Sequence, residues 1–157
     1  MKKLAALVAG VTLLLLTGCT PIVALEPAED AVNAQCAEVM VRLPDTVPGR
    51  DGDLAQRETN AQGTSAWGEP TTAIIRCGVP VPDPTSTLPC YSAGSIDWLL
   101  DESDTPNLVY TSYGRDPAVE VIVDQDNAAG GVILLELENA MSFTTKVSEC
   151  TDVEDSI

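Results

Sequence analysis

The first nineteen residues constrain everything that follows them. Met1-Lys2-Lys3 is a short positive start, Leu4 to Thr17 is an uncharged apolar run, and Leu16-Thr17-Gly18-Cys19 closes it. The run is shorter than the about 20 residues a helix needs to cross a bilayer, so it reads as a leader that is removed. An aliphatic residue, two small ones and a cysteine is the order of a lipobox. The small residues let a membrane peptidase approach an extended backbone, and the cysteine takes a diacylglyceryl thioether before the chain is cut on its amino side. On this reading residues 1–18 are a lipoprotein signal peptide and Cys19 is the lipidated first residue of the secreted chain. It places the mature part on the extracytoplasmic face of a bacterial cell membrane. What remains suits one domain with a real core.

Export makes the surroundings oxidising. Setting Cys19 aside leaves Cys36, Cys77, Cys90 and Cys150, an even number that reads as two disulfides. Three connectivities are possible. Cys36–Cys77 with Cys90–Cys150 is favoured, since Cys36 falls on an expected core-facing helix and Cys77 at the end of an expected core strand. A zinc site is the competing use of four cysteines, but no Cys-x-x-Cys occurs.

The chain contains no histidine. That excludes His-based nucleophilic triads, His-ligated zinc and imidazole proton shuttles. Cleavage would remove two of the eight basic residues, Lys2 and Lys3, and none of the 24 acidic ones, taking the formal net charge from −16 to −18. Such a balance argues against a nucleic-acid partner and against a polybasic grip on anionic lipid. The acids are scattered, as in a solvated coat.

Thr20 to Pro27 reads as a linker (residues 19–27 with the lipidated cysteine) able to span at most about 30 Å, ahead of a single domain over residues 28–157. Pro27, Glu29 and Asp30 suit a helix start and Pro44 a stop, so Ala28 to Leu43 is expected to be an amphipathic helix with Val32, Cys36, Val39 or Met40, and Leu43 on its core face. The polar stretch 44–70 is expected to be loop, with one short helical turn around Leu54 to Arg57. Strands are expected at Thr71–Cys77, Ser95–Leu100, Asn107–Tyr113 and Ala118–Val123, the last two joined by a turn at Gly114-Arg115-Asp116-Pro117. The proline-rich stretch 79–94 is expected to be extended loop. Val132 to Phe143 reads as a second amphipathic helix, with Asp126 or Asn127 before it as cap. Helix, consecutive strands, helix: the expected fold is α+β, a small antiparallel sheet with two helices packed on one face, braced by disulfides.

At Ala66-Trp67-Gly68-Glu69-Pro70, Ile75-Arg76-Cys77-Gly78, Asp97-Trp98 and Tyr113-Gly114-Arg115-x-Pro117, the chain resembles a family of actinobacterial envelope lipoproteins, that of domain of unknown function 3515. The likeness runs from about Cys36 to Phe143. It implies an actinobacterial source, a lipid anchor and a disulfide between Cys36 and Cys77, and it implies no activity.

Three residues stand out as possible recognition groups. Arg76, beside Cys77 on an apolar strand, could clamp a carboxylate or phosphate through its planar fork or sit in a structural ion pair. Arg115 in the expected turn has the same two readings. Trp67, between a loop and a proline, could line a contact surface or pack in the core, whereas Trp98 alternates with Ile96 and Leu100 as core residues do. Asp101, Glu102 and Asp104 are adjacent along one segment, which does not supply the two unlike environments that acid–base catalysis needs. Asp124 to Gly131 departs from the calcium-loop template at Ala128 and Ala129. No Gly-x-Ser-x-Gly, Ser-x-x-Lys or glycine-rich phosphate loop occurs. The expectation is therefore a lipid-anchored, non-enzymatic binding or accessory component with an envelope protein partner and no cofactor or metal. The runners-up are a small-ligand or cation-binding lipoprotein and a carboxylate-dependent hydrolase of envelope polymers.

Overall fold

The structure, a computed structural model, describes residues 21–151. The expected signal peptide and the lipidation site Cys19 lie outside the described residues. In chain order the elements are α1 (Ala34–Met40), β1 (Thr46–Pro48), β2 (Asp53–Arg57), β3 (Thr64–Trp67), β4 (Ala73–Val79), β5 (Cys90–Ala93), β6 (Ile96–Asp104), β7 (Asn107–Tyr113), β8 (Arg115–Asp116), β9 (Ala118–Asp124), α2 (Gly130–Met141) and β10 (Thr145–Lys146). Eight strands form one antiparallel sheet in the order β1-β2-β3-β4-β9-β7-β6-β5, and β8 pairs separately with β10.

The expected α+β layering is therefore wrong: the described residues are mostly β, an eight-stranded sheet curled into a half-barrel, with two short helices among them. Helix α2 touches both edge strands, β1 and β5, as well as the central β9. A flat sheet could not bring its two edges to one helix, so the sheet wraps around α2. The inner side is hydrophobic. Trp67, Ile75, Trp98, Val121, Ile133, Leu134, Leu137 and Met141 are all fully buried there, and Cys36 and Val39 of α1 join them.

The error came mainly from residues 44–70, which hold three strands where loop was expected. β1 and β2 form one margin of the sheet, and in β2 most side chains face water, so apolar alternation is weak. Residues 54–57 are strand rather than helical turn. β3 is buried at every position despite Thr64 and Ser65. Its hydroxyls are satisfied locally: Thr64 donates to the Ala61 carbonyl at 2.7 Å, and Ser65 accepts from the Gln56 amide at 2.9 Å.

Helix α1 is shorter than its apolar periodicity suggests. Asn33 is its N-cap, its side-chain oxygen accepting from Gln35 N. Residues ahead of it are held instead by the sheet: Asp30 N donates to Gly78 O at 2.9 Å, and Ala28 and Ala31 pack with Val79 and Ala118. Val32 consequently points to solvent, 74% exposed. Helix α2 starts two residues earlier than expected and has Ala129 as N-cap with no side-chain bond. Asp126 and Asn127 do not cap it; Asp124 closes its own turn by accepting from Asp126 N and the Asn127 amide. The β7–β9 pairing agrees with expectation, although the intervening turn contributes β8.

Disulfides join Cys36 to Cys77 and Cys90 to Cys150, with Cα atoms 5.5 and 6.6 Å apart. The first staples α1 to β4, the second β5 to the C-terminal segment. Closing loops with sequence separations of 41 and 60 is worth about 4 kcal/mol each in the chain-entropy model.

Candidate functional site

Strand register assigns every side chain of the sheet to a face. Because Ile75, Val121 and Tyr110 point into the core, their neighbours point out. Two rows result across the outer face. One runs Arg57, Ala66, Ile74, Ile122, Val109, Asp101; the other runs Thr64, Arg76, Glu120, Thr111, Leu99, Cys90. In the first row Ile74, Ile122 and Val109 are contiguous and only half-buried. An apolar ribbon thus lies on the outside of the molecule, one step from a charged pair.

That pair is Arg76 and Glu120, directly opposite on β4 and β9, with Nη1 donating to Oε1 at 2.9 Å. Cross-strand geometry brings them together without strain, and their exposure keeps the bond at about 0–1 kcal/mol. Arg76 is thus in a structural ion pair. Beside it, Thr111 and Leu99 form the floor of an open groove of about 570 Å³, roofed by the proline-rich segment from Pro80 to Leu88. The prolines keep that segment free of sheet pairing, and with a turn closed by Ser86 N donating to Asp83 O at 2.9 Å it lies across β6 and β7. A second open groove, of about 410 Å³, lies where β2 leads into β3, between Gln56, Arg57, Thr59, Thr64 and Ser65.

The other two expected recognition residues are internal. Trp67 is fully buried, and its indole N–H donates to Pro44 O at 3.0 Å. Arg115 is 8% exposed and donates to the carbonyls of Thr144 at 3.2 Å and Ser95 at 3.1 Å. Neither residue presents a surface to a partner. Arg115 belongs to a bracing chain: Glu138 of α2 accepts from Ser95 N at 2.7 Å, Ser95 O accepts from Arg115, and Arg115 reaches the segment after α2. The hydrogen bonds from Ser95 hold the Glu138 carboxyl below its ordinary range. Asp97 is used in the same manner, accepting from Ser92 Oγ at 2.8 Å and from Cys150 N at 3.0 Å. Burial, reinforced by Glu102 and Tyr91, pushes the Tyr110 hydroxyl up. Among the described residues no group of three or more Asp, Glu or Cys side chains is arranged to hold a metal ion.

The outer ribbon was legible in principle. Ile74 stands out of phase with Ile75, and Ile122 stands out of phase with Val119, Val121 and Val123. Strands apolar on both faces carry a second, partly apolar surface.

The family description protein of unknown function (DUF3515) matches residues 4–150. No curated protein and no solved structure matches the chain.

Proposed function

The chain belongs to the DUF3515 family, and on that premise we propose that its mature part is a lipid-anchored, non-catalytic binding component of the cell envelope of an actinobacterium. The observation that carries the reading is the contiguous sequence Leu16-Thr17-Gly18-Cys19 behind an apolar run. Two disulfides in a domain of this size agree with an oxidising compartment. Binding is favoured over catalysis by how the charged side chains are used. Arg76, Arg115, Asp97 and Glu138 are each engaged in structural contacts, whereas the outer face offers the Ile74–Ile122–Val109 ribbon and the groove beside it. A half-exposed apolar ribbon with a polar border is the composition of a contact surface for another protein.

Crosslinking in intact cells, followed by purification through this chain, tests the reading. The expected result is a membrane-associated partner recovered in excess over an unrelated lipoprotein, and lost when Ile122→Asp is introduced. Recovery equal to that control, with lipidation intact, would retire the accessory role. Mass spectrometry of the N-terminal peptide tests the anchor separately: residues 1–18 still attached, or an unmodified Cys19, would remove it.

A further inference from the structure

We propose that Arg57 clamps the membrane tether, so that the end of the sheet carrying residues 68–72 is held against the bilayer instead of swinging on a free linker. The inference rests on the lipid-anchor reading above and adds to it an orientation.

The segment after the expected lipidation site is laid onto the domain from Pro21 onward. Val23 forms a parallel bridge with Thr59; Val23 N donates to Glu58 O at 3.0 Å and Asn60 N to Val23 O at 3.2 Å. Leu25 N donates to the Asn60 side chain at 2.7 Å. Ahead of these contacts, the Arg57 guanidinium donates from Nη2 to Pro21 O at 2.6 Å and from Nη1 to Gly68 O and Thr71 Oγ1 at 3.1 and 3.3 Å. One planar fork therefore ties the start of the described chain to the β3–β4 loop. Arginine suits the task because its donors are fixed in direction and its charge is permanent.

Two consequences follow from chain geometry. From Cys19 to Pro21 is two residues, about 7 Å of reach, against about 14 Å were the chain held only from Val23 onward and about 30 Å for a linker free to Pro27. The loop that Arg57 grips is then the part of the domain nearest the lipid. A processed chain of formal charge −18, from −16 less Lys2 and Lys3, is repelled by an anionic surface, and on a free linker it would stand away; the clamp opposes that. Ile22, 58% exposed beside the clamped carbonyl, presents an apolar side chain where the headgroup region would be.

The full chain, lipidated in cells and reconstituted in anionic vesicles, is probed with a fluorescent amino acid at Glu69 or at Gln62, exposed positions beyond opposite ends of β3. Lipids with headgroup nitroxides serve as quenchers. Quenching at 69 is expected to exceed that at 62 several-fold. Arg57→Ala should bring the two positions to within about twofold. Because that variant could fail to fold, a second one inserts six Gly/Ser residues between Thr20 and Pro21, leaves every contact in place, and should also abolish the difference. Equal quenching at both positions in the parent chain, a difference that survives the insertion, or a difference that survives Arg57→Ala in a variant that melts like the parent, overturns the clamp. Mass spectrometry of the same samples reports the thioether at Cys19, so loss of the anchor itself is read independently.

Discussion

Gly78→Ala should be severely damaging for so small a substitution, and its size follows from the structure. Gly78 has φ +88°, and a Cβ there would lie 2.6 Å from Ala31 N and nearer still to the Asp30 carbonyl. Placing an L residue in that backbone region costs about 1–2 kcal/mol. The clash is with backbone, so relief requires residues 28–31 to lift away. That breaks the 2.9 Å bond from Asp30 N to Gly78 O, about 1 kcal/mol, and opens the cluster of Ala28, Ala31, Val79 and Ala118, about 1–2 kcal/mol. The expected loss is about 3–5 kcal/mol, a fall in Tm of about 10–20 °C for a domain of this size. Gly52→Ala is the control: φ is +136° but nothing lies within 4 Å, so the backbone term alone remains, about 1–3 kcal/mol. Calorimetry on the oxidised protein compares the two. Equal losses would refute the argument that contact with residues 30 and 31 is what excludes a side chain at 78.

Replacing both Cys36 and Cys77 by serine should lower stability by about 2–4 kcal/mol, measured by denaturant titration, while thiol counting on the unreduced parent protein should find no free thiol among Cys36, Cys77, Cys90 and Cys150. Arg115→Met should cost about 2–3 kcal/mol, since it strands the Ser95 and Thr144 carbonyls in a buried place; an unchanged melting curve would show that these carbonyls find other partners. The Glu138 carboxyl titrates below its ordinary range in the folded state, so its contribution is present above the unfolded value and disappears as pH falls through the folded one. Glu138→Gln should therefore flatten the acid limb of Tm against pH without removing it, because Asp83 and Asp101 are lowered too and keep the same sign.

The elements that sequence reading located share one property: their signal is contiguous. β4, β7 and β9 are rich in β-branched and aromatic residues, β6 alternates Ile96, Trp98 and Leu100, and α2 repeats its apolar positions at helical spacing. The expected leader and its closing Cys19 rest on a signal of the same kind, a chemical pattern contained within nineteen residues. What tertiary structure decided depends on residues far apart in the chain. β2 and β3 are polar, and they become strands because neighbours complete their ladders and satisfy Thr64 and Ser65. Trp67 lies in the core because its indole meets Pro44 across a separation of 23 residues, and Arg115 is internal because Ser95 and Thr144 supply carbonyls from either side. Arg57 shows no local pattern at all; its role appears when Pro21, Gly68 and Thr71 converge on one guanidinium. Local propensity chooses an element where apolar spacing is strong. Where it is weak, long-range hydrogen bonds choose, and these cannot be read until the sheet has curled.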